Sequence, residues 1–191
     1  IQNARHRISV TSPYFVPDES MLYAITTAAQ SGLDVQLFVS EIGDQPVVYH
    51  AQRSYYEALL RAGSTIWMYP KPYILRTKGR MIDDEVAVIG SSNMDMRSFG
   101  LNMEVSLMVR GEEFVREMRE VEDMYRSLSR ELTLEEWRQQ PLRSTVLDNL
   151  IAYLRAAVPR LNEPSTTLGN EVELVNAYLT VMQMRMPDRL Q

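Results

Sequence analysis

Short β-branched segments alternate with amphipathic helical ones through the first part of the chain, and this alternation limits the fold more than any other feature. Arg7 to Val10 (Arg-Ile-Ser-Val) reads as a strand that runs into a loop punctuated by Pro13 and Pro17. Ser20 is placed to cap a helix whose apolar side is Leu22, Ile25 and Ala29 and which Gly32 closes. Val35 to Val39 is a second, buried strand. Val48, Ala51, Tyr55, Leu59 and Ala62 recur every three or four residues, which predicts one helix ending at Gly63. Thr65 to Tyr69 is a third strand, Tyr73 to Ile82 with Val86 to Ile89 reads as a hairpin around Asp83-Asp84, and Val105 to Val109 is a further strand. Helices interleaved with short apolar strands predict an α/β layered domain with a mixed β-sheet flanked by helices.

From Glu112 to about Leu132 the pattern turns helical, with Phe114, Met118, Val121, Tyr125 and Leu128 as the apolar stripe. The Glu and Arg residues between them read as a solvated face. The character changes after Pro141. Leu147, Leu150, Ile151, Leu154 and Val158 predict one helix stopped at Pro159. Beyond a polar loop, Leu168, Val172, Val175, Leu179, Met182 and Met186 alternate steps of four and three, which is the spacing of a helix seam. The expectation is a first domain over 1–143 and a C-terminal α-helical hairpin over 144–191, packed on itself or on a homodimer mate.

Composition narrows the function classes. The 191 residues are 45% hydrophobic and 24% charged, the make-up of a folded chain with a real core, and the formal net charge is −5. An acidic balance argues against a non-specific nucleic-acid binder. The absence of cysteine excludes a disulfide framework, a thiolate metal site and a Cys nucleophile. No run approaches the roughly 18–20 apolar residues that cross a bilayer. The chain starts at Ile1 within a strand-like pattern, so it is expected to be a fragment or an excised domain.

The segment from Leu75 to Glu104 carries the chemistry. Arg76 and Lys78 stand two apart on the predicted strand, so their side chains share one face. The return strand ends in Gly90-Ser91-Ser92-Asn93, small residues whose N–H and hydroxyl groups suit an anion. Cations beside such donors fit a phosphate site, although spacing alone favours a solvated hairpin. His6 lies between Arg5 and Arg7 at the start of the chain and reads as solvated. His50, on the predicted helix, reads as structural. Tyr14, on the Pro-rich loop, reads first as a packing residue, although such loops often line sites in α/β folds.

The segment resembles the phospholipase D superfamily, whose signature is His-x-Lys-x4-Asp followed six residues later by Gly-Ser-x-Asn. Lys78, Asp83, Gly90, Ser91 and Asn93 match it in order. The run Ser-Asn-Met-Asp-Met-Arg-Ser-Phe-Gly-Leu-Asn-Met-Glu-Val is similar to bacterial cardiolipin synthases. So are Thr11 to Pro17, Arg53-Ser54-Tyr55-Tyr56, and Trp137 after the long helix. The resemblance covers roughly residues 1–145 and corresponds to the second of two repeats. It implies phosphatidyl transfer between phospholipid head groups at a membrane surface, on the cytoplasmic face of a bacterial membrane, with a phosphatidylglycerol-type substrate and no metal or other cofactor. Each repeat of such an enzyme gives one histidine. One forms a phosphohistidine and the other acts as acid and base. By the same resemblance Lys78 and Asn93 hold phosphate oxygens, Ser91 is a secondary donor, Asp83 is the motif acid, and Glu104 is a buried carboxylate that supports a histidine.

The motif histidine is replaced by Arg76. A guanidinium keeps its proton, so it neither attacks phosphorus nor shuttles a proton, although it grips phosphate well. The first repeat has no counterpart in the sequence. The expectation is therefore a phosphatidyltransferase-type domain that does not turn over alone. Its rivals are a non-catalytic anion-binding or dimerisation module and a chimera. The tail from Leu147 to Arg189-Leu190 is similar to the dimerisation region of bacterial sensor histidine kinases, without that family's phosphoacceptor motif.

Overall fold

The computed structural model describes residues 1–140 and Asp148. Along it run β1 (Arg7–Thr11), β2 (Phe15–Val16), α1 (Glu19–Gln30), β3 (Asp34–Ser40), α2 (Pro46–Arg53), α3 (Tyr56–Ala62) and β4 (Thr65–Tyr69). Then follow β5 (Gly79–Ile82), β6 (Val86–Gly90), β7 (Met94–Asp95), α4 (Met96–Gly100), β8 (Ser106–Arg110), α5 (Glu112–Leu128), β9 (Arg130–Leu132) and α6 (Leu134–Arg138). Seven strands form a mixed sheet in the order β8-β6-β5-β1-β3-β4-β9. The β1, β3 and β4 strands are parallel, as short strands joined by helical crossovers must be, and the others pair antiparallel. A separate two-stranded ladder pairs β2 with β7.

The period-two alternation of the strands divides the sheet into unlike faces. Ile8 and Val10, Val35, Leu37 and Val39, and Ile66 and Met68 form one core with Ile25 and Ala29 of α1 and Leu59 of α3. The intervening positions are Ser9, Gln36, Phe38 and Trp67, and these meet α5. Arg119 of α5 donates to Ser9 Oγ (3.1 Å), to the Asp83 carbonyl (2.6 Å) and to Glu122 (2.9 Å). Arg126 donates to Gln36 Oε1 (2.8 Å) and stacks over Phe38 and Trp67. The expected buried strand Val35–Val39 is buried throughout, and the α5 side of the sheet combines these polar contacts with an apolar cluster of Met81, Ala87 and Val115.

Four local expectations are corrected. Asp18, not Ser20, caps α1, its carboxylate accepting the Met21 N–H (2.7 Å). An extended Asp after Pro17 reaches the third amide better than a residue already inside the helix. The single helix expected up to Gly63 is two, broken at Ser54 and Tyr55, where the Ser54 hydroxyl takes the Ala51 carbonyl (2.6 Å). The long helix stops at Leu128 so that Arg130–Leu132 can pair with β4 as an edge strand. Its buried positions are Val115 and Glu122, whereas Leu128 is exposed, so the charged residues are not all solvated. The first arm of the hairpin is also shorter than expected. Tyr73 is exposed, and the segment is pinned by Leu75, buried, whose N–H donates to Ser40 Oγ (2.8 Å) rather than to a ladder partner. Arg76 and Lys78 therefore precede β5 instead of lying on it. The helical hairpin and domain boundary expected over 144–191 fall outside the described residues.

Burial pushes the Glu122 carboxyl above its usual range, against the opposing pull of Ser9 and Arg119. Removing the guanidinium leaves this carboxylate buried and unpaired. Arg119→Ala is expected to lower unfolding stability by about 3–5 kcal/mol at neutral pH, read by urea denaturation. A group with a raised native pKa favours the folded state at low pH and costs stability as pH rises through that value. The loss is accordingly expected to be full at about pH 8 and smaller at about pH 5. A pH-independent loss would show that Arg119 acts through packing and its bonds to Ser9 and the Asp83 carbonyl rather than through Glu122.

A candidate anion site at the carboxyl edge of the sheet

The register of the sheet gathers the site. Thr11 at the end of β1 pairs with Phe38 near the end of β3 and with Gly79 at the start of β5, and Gly79 pairs with Ile89 near the end of β6. The loops after β1 and β3, the segment before β5 and the turn after β6 thus share one edge, the carboxyl edge of the parallel strands, where ligands of α/β sheets sit. The parallel β2–β7 ladder then sets Phe15 against Met94, so Tyr14 and Asn93 stand one step before paired residues. Ser12 locks this arrangement by accepting the Met94 N–H (3.0 Å) while donating to the Tyr14 carbonyl (2.6 Å).

Two hydrogen-bonded groups occupy the edge. In the first, Glu104 collects the turn after β6. Its carboxylate accepts from Ser91 Oγ, from Ser98 Oγ (3.1 Å) and from Asn102 Nδ2 (3.3 Å). Ser98 Oγ in turn takes the Asn93 N–H (3.2 Å). The Ser91 hydrogen bond is the main influence holding the Glu104 carboxyl below the usual range, and the Lys78 charge adds to it. Lys78 Nζ donates to the Arg76 carbonyl (3.1 Å). Asn93 Oδ1 is buried with no hydrogen-bond partner, a state that costs about 1–3 kcal/mol unless a ligand supplies a donor. Glycine is required at position 90 because a Cβ there would come within 2.2 Å of the Val105 carbonyl and 2.8 Å of Ser106 Cα.

In the second group Arg76 faces Asp44 (Nη2 to Oδ2, 3.0 Å), and Asp44 Oδ1 accepts the Tyr14 hydroxyl (2.8 Å). Gln45 Nε2 donates to the same hydroxyl (3.3 Å). The Tyr14 bond is the leading cause that keeps the Asp44 carboxyl low, with Arg76 contributing, while burial and Asp44 together push the Tyr14 phenol up. Arg80 lies deeper, its pKa lowered by burial, and reaches the Asn93 carbonyl (3.4 Å). It lines a shallow pocket with Lys78, Gly90, Ser92 and Ser106.

The edge therefore holds Arg76, Lys78, Ser91, Asn93 and Glu104, with Ser91, Asn93 and Glu104 joined through hydrogen bonds. Two expectations change. Asp83 stands at the opposite end of β5, five residues and roughly 16 Å from Lys78, where its carboxylate accepts the N–H groups of Arg5 (3.0 Å), His6 (2.8 Å) and Arg7 (3.0 Å). It orders the strands and does not touch the site. Glu104 is only half-buried, because the loop that carries it lies at the rim beside the exposed edge strand β8. His6 belongs to the Asp83 end, and the His50 ring packs edge-on against Tyr49. Asp44 and Gln45 escaped the sequence reading, although a Gly-Asp-Gln-Pro loop following a buried strand is a place to look.

Comparison with known proteins places the chain. A family model described as "Cardiolipin synthase, PLD-like domain" matches residues 1–124, and the chain belongs to that family. Cardiolipin synthase A of Proteus mirabilis is 36% identical over 153 residues, which is 80% of this chain and 31% of the relative. A cardiolipin synthase of Halalkalibacterium halodurans is 48% identical over 106 residues, 56% of this chain and 21% of the relative. The chain thus spans about a third or less of these curated relatives. Among solved structures, the phospholipase D family member Nuc of Salmonella typhimurium superposes with a TM-score of 0.61 at 16% identity, covering 69% of this chain and 85% of Nuc. The phosphatidylserine synthase of Haemophilus influenzae gives 0.64 at 14%, covering 83% and 41%. Both support the fold. A second family model, described as "Histidine kinase", matches residues 124–190. Its first part overlaps the α/β unit, since β9 pairs with β4 and Trp137 of α6 packs on Tyr56 with ring centroids 5.4 Å apart.

Ser91→Ala removes the principal hydrogen bond holding the Glu104 carboxyl low. Carboxyl-detected NMR titration is expected to find the Glu104 pKa higher in the variant. An unchanged value would remove Ser91 from the site's network.

Proposed function

We propose that this chain forms the phosphate-gripping part of a phosphatidyltransferase that acts on phospholipid head groups at a membrane surface, and that it does not turn over alone. One observation supports the reading: the sheet register brings the segment carrying Arg76 and Lys78 and the turn carrying Ser91 and Asn93 to a single edge. In this reading Lys78 and the Asn93 side-chain amide N–H take phosphate oxygens, Ser91, whose hydroxyl donates to Glu104, shapes the turn, and Arg76 adds a cationic grip where the family carries its histidine. Glu104 orients Ser91 and balances Lys78.

The phosphoryl-transfer chemistry itself needs a nucleophile and an acid–base group, and neither Arg76 nor Lys78 provides the pair. The Tyr14 phenol is pushed away from ionisation and is a poor substitute. The missing groups belong, in our reading, to the remainder of a longer enzyme. Exposed apolar side chains between Met96 and Met108, on α4, the loop after it and the edge strand β8, support this reading. Among the described residues no helix is long and apolar enough to cross a membrane, so membrane contact in this reading is made from the surface.

Flotation of the 191-residue chain with phosphatidylglycerol vesicles tests the reading, with phosphatidylcholine vesicles as the neutral control. Arg76→Ala and Lys78→Ala are each expected to weaken binding to the anionic vesicles about tenfold, since a hydrogen bond to a charged group is worth about 1.5–3 kcal/mol. Head-group transfer should stay at background. Binding indifferent to both substitutions, or transfer by the chain alone, would overturn the proposal.

A further inference from the structure

The cation at the mouth of the site is already partly spent. Arg76 is well exposed, yet its guanidinium faces Asp44 at 3.0 Å. The Asp44 carboxylate is also fixed on its other side: Oδ1 is held by the Tyr14 hydroxyl at 2.8 Å, and Gln45 steadies that hydroxyl at 3.3 Å. Tyr14 is itself anchored by Ser12 and the β2–β7 ladder. A negative charge built into the rim in this way does not swing aside when an anion arrives.

We propose that Asp44 is a specificity-determining residue: it offsets the charge that Arg76 offers and so weakens the binding of a phosphomonoester more than that of a phosphodiester. A phosphodiester carries one negative charge, whereas a phosphomonoester carries close to two above its second ionisation near pH 6. Both present oxygens to Arg76 and Lys78 alike. Coulomb energy is linear in the ligand's charge, so the repulsion from Asp44 is twice as large for the dianion. The affinity ratio attributable to Asp44 is therefore squared on going from one class to the other. Glu104 lies on the Lys78 side and accepts from Ser91, Ser98 and Asn102, whereas Asp44 is the carboxylate in contact with Arg76. The inference rests on the reading of Arg76 and Lys78 as phosphate partners.

The test titrates the 191-residue chain at about pH 8 with two soluble probes, glycerophosphoglycerol as the diester and glycerol 3-phosphate as the monoester, followed by NMR. Asp44→Asn is expected to tighten the diester about threefold and the monoester about tenfold. Asp44→Ser, which removes the charge with a smaller side chain, is expected to move the ratio the same way, and Asp44→Glu, which keeps the charge, to preserve the original ratio. Equal changes for the two probes, or none, with binding still weakened in Arg76→Ala and Lys78→Ala, would overturn the inference and leave the phosphate site standing. Failure of both probes to bind, or binding indifferent to Arg76 and Lys78, would overturn the phosphate site and the inference together.

Discussion

Asp83 holds the architecture in register. Its residue adopts a left-handed turn (φ 52°), a conformation that Asp tolerates better than most side chains. From there its carboxylate accepts three successive backbone N–H groups at the entry to β1, and its own N–H returns a bond to the Arg7 carbonyl (2.9 Å). Burial works to raise this carboxyl's pKa, but the bonds from Arg7, His6 and Arg5 outweigh it and the group stays low. A strand slipped by one residue would turn every side chain to the other face. By fixing β1 against β5 at one end, Asp83 fixes where Arg76 and Lys78 emerge at the other. The motif acid thus serves the site from a distance, through the sheet.

The second structural commitment is the unlike pair of faces. One face of the sheet buries aliphatic residues under α1 and α3, and the other lays Ser9 and Gln36 beneath Arg119, Glu122 and Arg126 of α5. Such a network stabilises when complete and costs heavily when one partner is lost. It binds α5 directly to Asp83 through the Arg119 bond to the Asp83 carbonyl. The helix, the turn and the strand entry therefore form one connected unit, and the carboxyl edge is free to be polar and exposed.

Much of this was legible in the sequence. Periodicity located β1, β3, β4 and β6 closely, and the spacing from Lys78 through Asp83 to Asn93 pointed to the segment that carries the site. The failures have physical causes. Helix periodicity does not see a break made by a serine hydroxyl, so α2 and α3 merged into one. A five-residue motif gap says nothing about direction along a strand, and Asp83 was drawn into a site that it does not touch. The inward turn of Arg119 and Glu122 was invisible because a charged residue is written the same way whether its partner is water or another side chain. Asp44 was missed for a related reason: its meaning comes from Arg76, thirty-two residues away, and from the sheet that brings them together.

The central claim is that the β5–β6 hairpin and the loops beside it aim a guanidinium, an ammonium and a side-chain amide at one phosphate. A crystal structure of the chain with bound glycerophosphoglycerol tests this directly. The account predicts phosphate oxygens at about 2.7–3.2 Å from Arg76, Lys78 and Asn93. A phosphate seated elsewhere, or one touching Arg76 while Lys78 and Asn93 point away, would contradict it.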